Sequence, residues 1–179
     1  PRIDIKQTPL IEKHGLALFK THYYGGIKKF QWVAIPLALH GFVITRNGKK
    51  IPIKIGDKPG DPVFTITDIA IHLSKKIQDN RKSTGAVAGE ELNLVVGHKP
   101  GPADSEEDKE SQNRIRKAVV EHLEANMGFG EEDMAWAELH AVPAFPPQEV
   151  GFDRALIGGY GHDDRACVFA ACDALWDIK

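Results

Sequence analysis

The stretch Gly158–Arg165 reads Gly-Gly-Tyr-Gly-His-Asp-Asp-Arg and leads into a largely apolar run from Ala166 to Trp176. The run predicts a helix, so the flexible glycines deliver two adjacent carboxylates, Asp163 and Asp164, to its first turn. Carboxylates in this position can bind a metal ion, or they can satisfy the free backbone N–H groups that begin a helix. Taken alone, the residues favour the capping interpretation.

Composition and charge exclude several classes of function. The 179 residues are enough for one full domain, or for one domain with pieces of another. The formal net charge is −2, with Lys and Arg matched by Asp and Glu, which argues against a nucleic-acid-binding protein. No apolar segment approaches the roughly 18 residues of a membrane span, and the first residues lack a signal-peptide pattern. We therefore expect a soluble protein without nucleic-acid or membrane partners.

The two cysteines, Cys167 and Cys172, lie five residues apart in the predicted terminal helix. This offset places them on different faces, which makes a disulfide between them unfavourable and indicates a reducing cytoplasm. We expect both to be ordinary core residues. The chain begins without Met and ends just after a helix that needs a packing partner, so we also expect it to be a piece of a longer polypeptide.

Alternation and turn signals predict several strands. Residues 2–6 alternate as a strand that Pro9 would end, and residues 92–97 form another apolar strand. Residues 37–55 predict a β-hairpin with Asn47-Gly48 as a two-residue type I′ turn. In that register Ile44 faces Ile51, and the hairpin side that carries the large apolar residues consists of Phe42, Ile44, Ile51 and Ile53.

An aromatic segment contains Tyr23, Tyr24, Phe30 and Trp32. Tyr and Trp combine a large apolar area with a polar group, so the segment suits a ligand cleft, a subunit interface or plain core packing. A small-molecule binder would show a deep apolar pocket at Tyr23, Tyr24 and Trp32. An assembly module would show a flat, self-complementary surface instead.

Two amphipathic helices follow. The first is capped by Thr65 or Thr67, and His72 lies at the flank of its apolar stripe, which consists of Ile69, Leu73 and Ile77. The second starts at Ser105 or Ser111 and ends before Gly128. Its apolar face consists of Ile115, Val119, Leu123 and Met127.

The last part of the chain contains a strand and a rigid connection. Residues 134–142 alternate as a strand, with Glu138 and His140 on the polar side. These two side chains are either ligands or, more simply, an exposed face. The segment Pro143–Pro147 has no helix or strand potential and is the best candidate for a domain boundary.

Three blocks of the sequence resemble the aspartyl aminopeptidase and vacuolar aminopeptidase I family of dinuclear zinc metallopeptidases, most closely its bacterial branch. The first block is Thr21–Trp32, continued by Ile35–Gly41. The second is Asp68–Leu73 and the third is Gly159–Arg165. They occur in the family's order and span nearly the whole chain, so they are far more specific than the Asp-Asp pair alone.

The resemblance implies roles for particular residues. Asp163 would be the carboxylate that bridges two divalent metal ions, and Asp164 would shape the backbone beside it. The ions implied are zinc, with cobalt or manganese as alternatives. The family also sends a His from an inserted domain into the neighbouring subunit's active site; His72 is the candidate for this role, and His22 is the second choice. The remaining ligands and the catalytic Glu would lie outside this chain.

We therefore expect an α+β chain in which a β-rich oligomerisation domain is inserted into an interrupted α/β zinc-peptidase fold. Residues 1–14 would belong to the N-terminal part of the peptidase domain, residues 15–134 to the inserted dimerisation domain, and residues 135–179 to the return into the peptidase domain. The insertion would mediate self-association into dimers and larger particles, up to a dodecamer.

For the parent protein the resemblance implies a cytoplasmic two-metal aminopeptidase that removes N-terminal residues from peptides, with acidic residues as the candidate preference. One bridging Asp cannot hold two ions, because each needs about four donors. We therefore expect the isolated chain to be inactive. The alternative is a stand-alone module, without activity, for oligomerisation or small-molecule binding.

Overall fold

The computed structural model describes residues 2–78, 80–103 and 113–178. The chain is mixed α/β with a mainly antiparallel sheet, and it divides into two compact units, residues 2–144 and 145–178. The division falls inside the proline segment at which the sequence predicts a boundary. The assignment of residues 1–14, 15–134 and 135–179 to peptidase and inserted domains stays a prediction.

A six-stranded antiparallel sheet forms the larger unit, in the order β4-β3-β6-β1-β2-β5. The last of these strands along the chain, β6, lies between β3 and β1 and so joins the two halves of the sheet. The segment Phe64–Thr65 bridges Leu37 on one side and Val95 on the other, so that β5 is linked back to the start of β3. The strands are β1 (Ile3–Lys13), β2 (Leu16–Tyr23), β3 (Leu37–Ile44), β4 (Lys50–Ile55), β5 (Leu94–Gly97) and β6 (Ala137–Pro143).

Among the described residues of the larger unit, two α-helices accompany the sheet, α1 (Ile71–Ile77) and α2 (Arg114–His122). A π-helical turn, Leu123–Met127, continues α2 until Gly128 adopts a left-handed conformation with φ 76°. Ile115 and Leu123 are buried in the core, as the amphipathic pattern predicts. The two candidate starts of this helix, Ser105 and Ser111, lie outside the described residues. Short 3₁₀ turns cover Lys29–Gln31, Ser83–Gly85, Gly89–Glu91 and Glu131–Trp136.

The predicted register of the β3–β4 hairpin is wrong by one residue. Ile44 pairs with Lys50 rather than with Ile51, because the turn spans three residues between Thr45 and Lys49. The Thr45 carbonyl accepts a hydrogen bond from Gly48 N at 2.8 Å, and Thr45 N donates to the Lys49 carbonyl at 3.0 Å. A one-residue slip exchanges the two faces of a strand. On β3 the core therefore receives Val43 instead of Ile44, which is exposed, whereas Ile53 of β4 is buried as predicted.

Two further element boundaries differ from the sequence-based expectation. Pro9 does not end β1; it lies where the pairing with β2 shifts, a place that tolerates a residue without an N–H donor. The first helix begins after Ala70 and is not capped by Thr65 or Thr67. Thr65 cannot begin a helix, because it forms the β-bridge to Val95 and its hydroxyl donates to the Ile35 carbonyl at 3.1 Å.

The smaller unit consists of a two-stranded hairpin and a helix. The strands β7 (Gln148–Val150) and β8 (Leu156–Gly158) are antiparallel, and α3 (His162–Trp176) follows them. No side chain in α3 is buried, including the two cysteines that were expected in a core. Its exposed apolar residues include Phe169 and Trp176. Across the described part of the chain, no helix combines the length and apolar character needed to cross a membrane.

Candidate metal-ligand segment

A glycine-rich turn between β8 and α3 positions Asp163 and Asp164. Gly161 is the N-cap residue of α3 and has φ 86°, a left-handed conformation that favours glycine. Because Gly161 carries no side chain, it cannot cap the helix as a Ser or Asp would. The two carboxylates lie in the first turn of α3, as the sequence predicts.

Packing within the smaller unit limits the size of side chains in this turn. The rings of Phe145 and Tyr160 meet edge to face, with centroids 5.4 Å apart. A Cβ atom at Gly159 would lie 3.3 Å from Cβ of Pro147, which is closer than ordinary van der Waals contact. A residue larger than glycine at Gly159 would therefore require Pro147 to shift by a few tenths of an ångström.

Asp163 and Asp164 are exposed, and Asp163 affects the protonation of Asp164. The backbone of Asp163 is not helical, with φ −86° and ψ 116°, and its peptide bond to Asp164 is cis. A hydrogen bond with Asp163, together with the negative charge on Asp163, raises the pKa of Asp164 above its ordinary value. Two carboxylates this close repel each other when both are ionised. A cation bound at the pair would relieve that repulsion.

The donor set of this chain is incomplete for a metal ion. Within residues 2–78, 80–103 and 113–178, no group of three or more His, Cys, Asp or Glu side chains is arranged to hold one. Zinc takes about four donors in proteins, and the Asp163 carboxylate offers two oxygens. A metal ion at Asp163 therefore needs ligands beyond those that the described residues supply.

The structure places the two candidate histidines in the larger unit. His72 lies on α1 and is exposed, as are its neighbours Ile71 and Leu73. His22 lies near the end of β2, opposite Asp4, and its ring stacks on Tyr23 with centroids 6.0 Å apart. Both histidines are accessible to another molecule.

The sequence analysis did not predict a row of polar side chains that lies on the outer face of the sheet. Strand pairing aligns His40 with His140, and His140 in turn with Asp4. The row continues to Lys54 beyond His40 and to His22 beyond Asp4. The alternation of β6 did put His140 on a polar side, but the order of the strands, which the sequence does not reveal, brings His40 beside it.

Comparison with known proteins agrees with the resemblance noted in the sequence. The family model described as "Aminopeptidase I zinc metalloprotease (M18)" matches residues 1–179. A probable M18 family aminopeptidase 1 of Thermotoga maritima is 49% identical over 175 residues, which cover 98% of this chain and 37% of that protein. The corresponding Borrelia garinii protein is 44% identical over 179 residues, which cover 100% of this chain and 38% of that protein. The chain thus spans well under half the length of these relatives.

Solved structures give the same result. The crystal structure of the Thermotoga maritima M18 aminopeptidase matches with a TM-score of 0.86 and 45% identity, over 99% of this chain and 38% of that one. The yeast mApe1 dodecamer matches with a TM-score of 0.60 over 97% of this chain and 36% of that one, and at 16% identity it shows a likeness of fold alone. Because the family model covers every residue and the bacterial relatives match nearly all of them, the chain belongs to the M18 family of aminopeptidase I zinc metalloproteases.

Proposed function

We propose that this chain is part of a cytoplasmic two-metal aminopeptidase that removes N-terminal residues from peptides, and that Asp163 is its contribution to the metal centre. The observation that carries the proposal is the placement of Asp163. Its solvent-exposed carboxylate lies at the start of α3 and directly follows a turn whose left-handed conformation favours glycine. The chain also belongs to a zinc metalloprotease family. A preference for acidic N-terminal residues rests on the family resemblance alone.

In this proposal Asp163 would be a ligand shared by two divalent ions, zinc by the family description, with cobalt or manganese as alternatives. A carboxylate suits a bridging position because it has two oxygens, and a helix N-terminus favours its ionised form. Asp164 holds the backbone of the turn. The ions would polarise the scissile carbonyl of the peptide, and the remaining ligands and the general base would come from other parts of the enzyme.

The larger unit would mediate self-association. Support comes from an exposed apolar stripe that begins two residues before α1 and continues along it: Ile69, Leu73 and Ile77 are 37%, 63% and 49% exposed. Burying such a stripe against a second copy would remove apolar area from water. His72 lies at the flank of this stripe, so a subunit contact through α1 would carry His72 to the neighbouring subunit. The yeast relative of the same fold is a dodecamer.

Substitution in the full-length enzyme tests the proposal. Asp163→Asn should lower kcat by about 100-fold or more and reduce the metal content per chain, because an amide is a poor bridging ligand. Asp173→Asn, an exposed carboxylate further along α3, is the matched control and should leave both quantities unchanged. His72→Ala should lower kcat/KM while the metal content stays normal. Full activity and full metal content in Asp163→Asn would contradict the assignment.

The stand-alone module remains the alternative. Its small-molecule version requires a pocket at Tyr23, Tyr24 and Trp32, but Trp32 is 2% exposed in the core and Tyr24 is 74% exposed. A cavity of about 540 Å³ does lie between the sheet and α2, and none of these three residues lines it. The isolated 179-residue chain should show no EDTA-sensitive aminopeptidase turnover under either view, so only the full-length variants separate them.

A further inference from the structure

Two histidines on the outer face of the sheet are spaced as a pair of metal ligands. His40 on β3 and His140 on β6 lie directly opposite each other across an antiparallel pair. Their ring centroids are 6.2 Å apart and their planes meet at 76°. Directly opposed residues have Cβ atoms about 5 Å apart, so rotation of the two side chains can bring both rings to one ion.

The distance between the two ring centroids must shorten slightly before both rings can bind one ion. A Zn–N bond is about 2.0–2.1 Å long, so two imidazoles on a tetrahedral ion place their ring centroids roughly 5 Å apart. The observed separation of 6.2 Å therefore has to shrink by about 1 Å. In the proposed site, rotation about the side-chain bonds would supply this change. The described residues offer no third side chain at the pair, so water would complete the coordination.

Asp57 holds one of the two rings in the orientation that a ligand needs. Its Oδ1 lies 2.8 Å from Nε2 of His40, and its Oδ2 lies 3.3 Å from Nζ of Lys54. Metal-binding histidines usually donate the second ring N–H to a carboxylate, which fixes the tautomer. When Nε2–H of His40 donates to Asp57, the lone pair is on Nδ1. Although burial alone would raise the pKa of Asp57, hydrogen bonds from His40 and Lys54 lower it, so Asp57 stays ionised.

His140 is held in the neutral form that binds metals. Burial lowers its pKa, and the nearby charges of Arg2 and His40 lower it further, against the opposing effect of Asp4 and Glu138. Neutral imidazole is the ligand form, so less proton release is needed when a metal ion binds near neutral pH.

We propose that His40 and His140 form a two-histidine site for a divalent transition-metal ion, with Asp57 as the residue that orients His40. The ion belongs to the class that imidazole binds well, Zn²⁺ or Cu²⁺, rather than to the oxygen-preferring class of Mg²⁺ and Ca²⁺. The site does not use Asp163, so this proposal is independent of the proposed peptidase function.

Calorimetric titration of the 179-residue chain with Zn²⁺ tests the site, in an Asp163→Asn background that removes the other candidate ligand. His40→Gln and His140→Gln should each weaken Zn²⁺ binding by about tenfold or more, and Asp57→Asn by about tenfold through the loss of its orienting bond. His22→Gln is the matched control. It lies on the same face with Asp4, rather than a histidine, directly across from it, and it should leave the affinity unchanged.

A second measurement does not depend on the stability of the variants. Substoichiometric Cu²⁺, which is paramagnetic, should broaden the ring NMR signals of His40 and His140 before those of the other six histidines of the chain. Broadening spread evenly over all eight would overturn the proposal. An unchanged Zn²⁺ affinity in both His40→Gln and His140→Gln would also overturn it. So would a lower Zn²⁺ affinity in His22→Gln with an unchanged affinity in His40→Gln, because that result would point to Asp4 as the centre of the site.

Discussion

Gly41 of β3 lies directly against the backbone of Glu138 on β6, and a Cβ atom at Gly41 would overlap the Glu138 carbonyl oxygen. Gly41 also has φ 138°, a conformation that side chains rarely adopt. Both obstacles are backbone features, so no side chain can move aside to relieve them. The absence of a side chain at Gly41 thus allows β3 and β6 to pair as closely as they do.

Gly41→Ala should therefore destabilise the larger unit by about 1–3 kcal/mol or more, because the strands must separate to admit the methyl group. Urea unfolding followed by circular dichroism measures the change as a lower midpoint. Gly26→Ala is the control, since nothing lies within 4 Å of a Cβ atom there, and it should shift stability by less than about 0.5 kcal/mol. Equal midpoints for the two variants would refute the close-approach argument.

Thr21 supplies a buried hydrogen bond that crosses the core. It is 5% exposed, and its hydroxyl donates to the carbonyl of Leu92, far along the chain. Thr21→Val keeps the shape but removes the donor, so it should cost about 1–3 kcal/mol in unfolding free energy. Thr21→Ser keeps the donor and loses only a methyl group, and it should remain the more stable of the two variants. Thermal or urea unfolding decides between them, and a Val variant as stable as the wild type would argue against the bond.

His140 should make the larger unit less stable in acid. Its folded pKa lies below the ordinary value of 6.5, so the unfolded chain binds more protons than the folded one and stability falls as the pH drops below 6.5. The charged groups that face it are Arg2, His40, Asp4 and Glu138. His140→Gln should reduce the loss of unfolding free energy between about pH 7.5 and about pH 5, which lie on either side of the ordinary histidine pKa. An identical pH slope in wild type and variant would show that other groups dominate the acid response.

The exposed apolar stripe of α1 leads us to expect that substitutions on it change self-association. Leu73→Glu places a charge where burial against a second copy is proposed, so in the full-length protein it should weaken self-association by about tenfold or more, or 1.4 kcal/mol. Lys75→Glu, on the same helix and already polar, is the matched control. Analytical ultracentrifugation over a range of concentrations gives both values. Unchanged association of Leu73→Glu would place the subunit contact elsewhere.

Local patterns predicted some elements well and others poorly. The face of α2 that carries Ile115 and Leu123 follows from helical spacing alone, and the structure confirms it. The β3–β4 register failed because a glycine in a left-handed conformation, here Gly48 with φ 80°, fits both a two-residue turn and the longer turn observed.

Contacts between residues on different strands depend on the strand order, which could not be predicted from the sequence. His40 meets His140 only because β6 inserts between β3 and β1. The proposed metal role of Asp163 raises a different difficulty, since the described residues contain no group of three or more His, Cys, Asp or Glu side chains that could hold a metal ion. Only the family resemblance distinguished that carboxylate from an ordinary residue in the first turn of a helix.

The central position of β6 also determines the order in which the strands can pair during folding. During synthesis, the β3–β4 hairpin and the β1–β2 pair emerge early, and β3 and β1 each have one edge that later pairs with β6. Both edges wait for the same strand, which is complete only at Pro143. Pairings between residues so far apart in sequence form slowly because a long loop must close first. The nascent chain therefore exposes the edges of β1 and β3 that face β6 until β6 pairs with both, and exposed strand edges of this kind favour aggregation.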